Sequence, residues 1–267
     1  MSAIIKDMSQ DLELAIHAAK QSGKVIKDAY GNVKGISRKA LNDYVTSTDT
    51  EAEKIIVDLL KQTEYSIFGE ESGTTDNQTR KKWVIDPIDG TINFIRNIPF
   101  FALSIALMED NKEVILGVVY DPIADECYWA EKNEGAYLNG EKIHVSELDN
   151  FDGSLILIEH NRSEEGKKDY LDASRNLILN KGSVLLRQGS SALMLCYIAK
   201  GSSEAFLSSG DEVFDIAGGL IIAQEAGAII SDWNGKQWNS ADSYILASNP
   251  SIQNKVLERI VGIQKLR

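Results

Sequence analysis

The stretch Trp83-Val84-Ile85-Asp86-Pro87-Ile88-Asp89-Gly90-Thr91-Ile92-Asn93-Phe94 is the most informative part of the chain. Trp83-Val84-Ile85 reads as a short buried strand that ends in a carboxylate, Asp86. Pro87 fixes the backbone turn, Asp89 follows, Gly90 permits close backbone approach, and Thr91 opens a short helix. Two carboxylates at the end of one strand, facing the amides of a helix start, are unfavourable unless a cation neutralises them. Hard oxygens of this kind suit Mg²⁺, whose remaining positions are filled by water and phosphate. The helix amides offer that phosphate a seat. The same residues also describe an Asp-Pro-x-Asp-Gly turn held by side-chain-to-backbone hydrogen bonds.

Outward from this stretch, two helices precede it. Leu12, Ile16, Ala19, Gly23, Ile26 and Tyr30 form the stripe of an amphipathic helix over 10–30. A second helix is expected to start near Thr48, with Glu51 completing a capping box and Ala52, Ile55, Ile56, Leu59 and Leu60 as its apolar face. Ser66-Ile67-Phe68 is a further short strand. Ala102–Met108, Val114–Tyr120 and Glu126–Ala130 read as strands of an antiparallel sheet, and Asn139-Gly140 marks a type I′ hairpin. Beyond about 150 the elements alternate. Strands are expected at Ser154–Glu159, Val184–Leu186, Ala205–Leu207 and Ala228–Ser231, and helices at Lys168–Leu179, Ser191–Lys200 and Ile216–Ala226. The pattern gives an α+β first part and an α/β second part, split near 145–153.

Three more acidic sites share the texture of the central stretch. Phe68-Gly69-Glu70-Glu71-Ser72 puts glutamates at a strand end, and Val45-Thr46-Ser47-Thr48-Asp49 an aspartate at a helix start. Val213-Phe214-Asp215-Ile216-Ala217-Gly218-Gly219 sets an aspartate before an apolar helix whose small residues allow tight packing. Taken singly, Asp49 is explained by the helix dipole and Asp215 by an N-cap.

Composition narrows the classes. The 267 residues carry a net charge of −12, which leaves no electrostatic case for gripping a nucleic acid polymer or an anionic membrane. Cys127 and Cys196 fit neither a disulfide framework nor zinc spacing and read as inert core residues. With no apolar run long enough for a span and charges where a signal peptide needs its apolar stretch, a cytoplasmic protein is expected. His17, His144 and His160 have no metal-ligand partner at helical or strand spacing. Arg187 reads as a salt-bridging residue or a phosphate contact. Lys39 reads as a surface lysine or part of a segment folding over the acidic site, and His160 and Arg162 as loop residues or neighbours of the substrate end.

Glu-Glu-Ser, Asp-Pro-Ile-Asp-Gly-Thr and Asp-Ile-Ala-Gly, in this order, resemble the inositol monophosphatase family over nearly the whole chain. That group of Mg²⁺-dependent, lithium-sensitive phosphatases also includes archaeal-type fructose-1,6-bisphosphatases and 3′-phosphoadenosine nucleotidases. The resemblance implies a layered α-β-α-β-α sandwich. It implies two or three Mg²⁺ ions held by Glu70, Asp86, Asp89, Asp215 and the carbonyl of Ile88, with Glu70, Thr91 and Asp49 orienting and activating water. It further implies phosphate contacts from Gly90 and Thr91, and an alcohol-binding wall from Gly189, Ser190, Ser191 and Ser208. Residues 1–148 would then be the metal-binding and catalytic part, with 149–267 completing the metal site and substrate wall; a homodimer is expected because relatives commonly dimerise.

Two departures bear on substrate. Ser208 stands where animal inositol phosphatases carry a glutamate, and Ile92-Asn93 where the nucleotidase branch usually has Lys-Glu. The expected activity is hydrolysis of a small phosphorylated metabolite, inositol 1-phosphate or fructose 1,6-bisphosphate, by a metal-activated water. The alternatives are a 3′-phosphoadenosine nucleotide or NADP phosphatase, or a non-catalytic metal-binding regulator on the same fold.

Overall fold

The computed structural model describes residues 8–40, 43–110, 112–160, 163–179, 183–240, 242 and 244–260. Its elements in chain order begin with α1 (Gln10–Ala29), β1 (Ser37–Ala40), β2 (Asp43–Val45), α2 (Ser47–Leu60), β3 (Ser66–Gly69), β4 (Gly73–Thr75) and β5 (Lys81–Asp89). Then come α3 (Thr91–Ile95), β6 (Ala102–Glu109), β7 (Glu113–Asp121), β8 (Glu126–Glu131), β9 (Gly135–Leu138) and β10 (Glu141–Ile143). The remainder is β11 (Leu155–His160), α4 (Glu164–Leu179), β12 (Val184–Leu186), α5 (Ser191–Ala199), β13 (Ala205–Ser209), α6 (Val213–Glu225), β14 (Ile229–Ser231), β15 (Tyr244–Ser248) and α7 (Gln253–Ile260).

Two sheets organise these elements. An eight-stranded sheet runs β10-β9-β8-β7-β6-β5-β3-β4, antiparallel except where β3 pairs parallel with β5. A five-stranded sheet runs β12-β11-β13-β15-β14, parallel across its first three strands and antiparallel across the rest. Leu12, Ala19 and Ile26 of α1 and Ala52 and Ile56 of α2 cover one face of the large sheet. Leu193 and Cys196 of α5 and Ile221 and Ile222 of α6 cover the other, while Leu195, Ile216 and Leu220 face the small sheet. Ala173 and Leu177 of α4, with Val256 and Ile260 of α7, close the outside. The result is the α-β-α-β-α sandwich the motifs imply. Among the described residues no helix is long and apolar enough to cross a membrane.

The middle helix layer depends on the small residues of α6. A Cβ on Gly218 would stand 2.6 Å from Ser104 Oγ of β6, and one on Gly219 2.7 Å from Leu195 Cβ of α5. Only glycines let α6 lie between a sheet and a helix at this distance.

Several boundaries differ from the sequence reading for identifiable reasons. The α2 cap is Thr46, whose backbone amide donates to Asp49 Oδ2 at 2.9 Å, so the capping box is Thr46–Asp49 and Glu51 lies exposed. Asp215 is not an N-cap: α6 starts at Val213, and Asp215 Oδ2 accepts from the Glu212 amide at 2.9 Å. Helix α4 begins one turn before Lys168. The strand around Trp83 is not short, for β5 sits mid-sheet and continues to Asp89 past a register shift between Asp86 and Asp89. Pro87, which has no N–H for the ladder, lies in that irregularity. The strands β1, β2, β4 and β15 and the helix α7 are additions to the expected elements; β1 and β4 are short and largely exposed, whereas β15 and α7 bury apolar residues. The Asn139-Gly140 turn is as expected, both residues having positive φ.

Candidate active site

A cavity of about 960 Å³ opens where β5 meets α3, walled by residues from both sheets and from the β13–α6 turn. Asp86, Asp89 and Asp215 each direct a carboxylate oxygen into it, all within 4.8 Å of one another. Asp86 and Asp89 are buried, and Asp215 is partly exposed. Burial holds Asp86 well above the usual carboxylate range, reinforced by the charges of Glu70, Asp89 and Asp215. Burial likewise raises Asp215, with Asp211 and Asp89 adding repulsion. Asp89 is pushed up to about 8 by burial, even though the Ser190 hydroxyl and Ala192 amide oppose the shift. Carboxylates gathered at this density, with hard oxygen donors only, fit a divalent cation such as Mg²⁺.

Glu70 lies beside this cluster on the turn after β3. Its turn is set by Glu53 of α2, a buried carboxylate that accepts from the Glu71 amide at 2.9 Å and the Ser72 amide at 2.7 Å. Sequence reasoning missed Glu53; its place one helical turn after Asp49, beside the apolar stripe, was the available signal. Lys39 reaches in from β1, its Nζ 3.1 Å from Glu70 Oε1 and 2.5 Å from Glu71 Oε1. Burial disfavours that ammonium, but the two glutamates outweigh it and raise its pKa. Lys39 is therefore part of the site rather than an ordinary surface lysine.

The hydroxyl of Thr91, in the first turn of α3, lies 3.1 Å from the Ile88 carbonyl and 3.5 Å from Asp49 Oδ1, with one proton to donate. Asp49 is fully buried, and burial raises it to about 6 against the Thr46 hydrogen bonds that oppose the shift. Gly90 has φ +96°, and a Cβ there would meet the carbonyl oxygen of Gly189 at 3.0 Å, so the loop requires glycine.

The residues expected at the alcohol end do not all face the cavity. Gly189 and Ser191 line it. Ser190 is buried; its hydroxyl donates to Asp89 Oδ2 at 2.6 Å, and it caps α5. Ser208 is also buried and is not on the cavity wall, because β13 turns it inward; from the following turn Gly210, Asp211 and Glu212 line the cavity. Burial and Glu159 raise Asp211 to about 6, opposed by the Ser208 and Ser191 hydroxyls. Asn93, also missed, ties the loops together through Nδ2, which donates to the carbonyls of Phe100 and Gln188, both at 2.7 Å. Arg187 lines the cavity and pairs with Glu159 at 2.5 Å. His160 lines the cavity with its ring edge-on to Tyr170, and Arg162 lies outside the described residues. Cys127 and Cys196 are buried and unbonded; burial pushes the Cys127 thiol to about 12.

Comparison with known proteins agrees over nearly the whole chain. The profile of the Inositol monophosphatase family matches residues 7–265. An inositol monophosphatase of Mesembryanthemum crystallinum is 36% identical over 261 residues, covering 94% of this chain and 96% of that protein. The Nus factor SuhB of Pasteurella multocida is 32% identical over 258 residues, covering 95% and 96%. Among solved structures, a Thermotoga maritima IMPase superimposes with a TM-score of 0.87 at 30% identity, covering 97% of this chain and 99% of that one. The MJ0109 gene product, inositol monophosphatase-fructose 1,6 bisphosphatase, does so at 0.80 with 32% identity, covering 95% and 100%. Sequence, layered fold and acidic motifs thus agree from end to end: the chain belongs to the inositol monophosphatase family, whose members are phosphatases.

Proposed function

We propose that this protein is a Mg²⁺-dependent phosphomonoesterase for a small sugar or inositol phosphate, inositol 1-phosphate or fructose 1,6-bisphosphate. The observation that carries the reading is the convergence of Asp86, Asp89 and Asp215 within 4.8 Å beside the start of α3. In this reading those three carboxylates, with Glu70 and the Ile88 carbonyl, hold the metal. Bound there, Mg²⁺ supplies charge neutralisation for the phosphate dianion and lowers the pKa of a water. Such neutralisation is needed because a protein of charge −12 would otherwise repel the substrate.

The chain's own residues then position the reactants. Gly90 and Thr91 offer their amides to the phosphate. Thr91 and Glu70 orient the attacking water, and Asp49 lies within reach of the Thr91 hydroxyl to take up its proton. Phosphoryl transfer needs in-line geometry and charge neutralisation more than covalent help, so no protein nucleophile is invoked. Residues 1–148 supply most of the cluster in this scheme, and 149–267 add Asp215 and the Gly189–Ser191 loop.

Phosphate release from inositol 1-phosphate, fructose 1,6-bisphosphate, 3′-phosphoadenosine 5′-phosphate, NADP and 4-nitrophenyl phosphate, with and without Mg²⁺, tests the reading. Mg²⁺-dependent turnover of the first two supports it, and turnover of the nucleotides alone replaces it. Thr91→Ala and Glu70→Gln are expected to lower kcat by about 10²–10⁴ with a smaller effect on KM. The several SuhB relatives, named as Nus factors, favour a second reading, a regulator on the same fold. Folded, Mg²⁺-binding protein without turnover on any ester would support that one.

A further inference from the structure

A second cavity, of about 570 Å³, lies where the C-terminal half of α6 runs between the start of β7 in the large sheet and β14 in the small one. It shares no lining residue with the active-site cavity. Its volume falls in the range of roughly 300–1,000 Å³ that small-molecule sites occupy. Leu220 and Ile221 of α6 and Ile229 and Ile230 of β14 give it apolar walls, and Ile229 is 42% exposed on the edge strand of its sheet. Trp238 adds an aromatic wall. It packs against the cluster that contains Leu220 and Ala228, and its Nε1 donates to the Asp242 carbonyl at 3.1 Å, which fixes the ring.

The polar lining favours an anion. Lys112 makes no ion pair among the described residues; Asp110, an acid that feels its charge, is held through both oxygens by Arg80, at 2.9 and 2.7 Å. Lys132 pairs with Glu113 at 2.6 Å, so the charged lining residues leave the cavity a single positive charge on a protein of charge −12. Gln224 and Gln237 line the same cavity with side-chain amides that make no hydrogen bond among the described residues.

We propose that this cavity is a second ligand site, for a small molecule that joins a flat apolar body to an anionic group. The body lies against Trp238 and Ile229 and removes both from water, while the anion pairs with Lys112. The amides of Gln224 and Gln237 supply hydrogen bonds at its polar end. A few placed polar groups around an apolar hollow orient a small molecule; a concave wall with an unpaired charge does not complement its own copy. Neither the metal cluster nor the Gly189–Ser191 loop contributes to this cavity, so the site is independent of the phosphatase reading.

The test titrates the full-length protein with two fluorescent probes of the same shape, anionic 8-anilinonaphthalene-1-sulfonate and neutral N-phenyl-1-naphthylamine. A single saturable site is expected for the sulfonate. Lys112→Met should lower the sulfonate-to-amine affinity ratio about fivefold, the scale of a part-exposed ion pair. Trp238→Leu should weaken both probes by about tenfold. Ile229→Ser changes an exposed position and keeps the test open if the tryptophan variant loosens its loop; it should weaken both probes at least about threefold. Mg²⁺ with inorganic phosphate should not displace the sulfonate. No saturable binding, displacement by Mg²⁺ with phosphate, or affinities unmoved by Lys112→Met and Ile229→Ser overturns the assignment. A dimer in sedimentation that Ile229→Ser converts to monomer would show a second copy seated on this face, and overturns it as well. The phosphatase reading survives each of these outcomes.

Discussion

Ser190 donates its hydroxyl to Asp89 Oδ2 at 2.6 Å, tying the N-terminus of α5 to the carboxylate cluster at the end of β5. The Ala192 amide donates to the same oxygen at 2.7 Å. One carboxylate thus belongs both to the candidate metal site and to the junction between the middle helix layer and the large sheet. The serine that looked like part of a substrate wall is a support for Asp89.

Ser190→Ala removes a charge-assisted hydrogen bond and an N-cap together. A loss of about 1–3 kcal/mol in urea denaturation is expected, because the Ala192 amide still holds Asp89. Stability unchanged to within a few tenths of a kcal/mol would show that the bond contributes nothing net.

Metal-free protein should lose stability as pH rises. Asp49 and Asp89 are raised to about 6 and about 8, so between the ordinary carboxylate range and those values the folded state binds more protons than the unfolded chain. Stability from these groups is complete below the unfolded pKa and declines until the folded pKa is passed. The melting temperature in chelator should therefore be higher near pH 5 than near pH 8. Mg²⁺, binding the ionised cluster, should raise the pH 8 value most. A melting temperature that climbs with pH in chelator contradicts the buried-cluster electrostatics.

Asp86→Asn keeps the shape and the acceptor for the Ile88 amide, at 2.9 Å in the wild type, while deleting one of the crowded charges. Metal-free protein near pH 8 should gain stability, with a rise in melting temperature in chelator. Phosphatase activity at saturating Mg²⁺ should collapse by at least about a hundredfold, as expected when charge stabilisation of the phosphoryl group is weakened. Activity retained in the variant removes Asp86 from the metal site.

Lys39 occupies the outer side of Glu70, and its removal should ease cation entry. Lys39→Met is expected to lower the Mg²⁺ half-saturation by up to about fivefold, the scale of a part-exposed ion pair worth up to about 1 kcal/mol. Calorimetric titration of both proteins with Mg²⁺ reads this directly. Weaker Mg²⁺ binding in the variant would mean that Lys39 organises the glutamates rather than competing with the cation.

The sequence by itself determined most of the secondary elements and the acidic motifs. Periodicity marked α1, the Asn139-Gly140 pair marked its hairpin, and strand ends running into carboxylates marked Asp86, Asp89 and Glu70. Those signals are local, and local backbone physics is enough to read them. Tertiary structure decided which oxygens converge, since Asp215 reaches Asp86 only because Gly218 and Gly219 let α6 pack so closely. It also decided which polar residues face the cavity. Strand direction and helix caps turned Ser190 and Ser208 inward and left Asp211 on the wall. Glu53 and Asn93 gained their supporting roles from partners on other elements, a relationship that no spacing along one segment encodes.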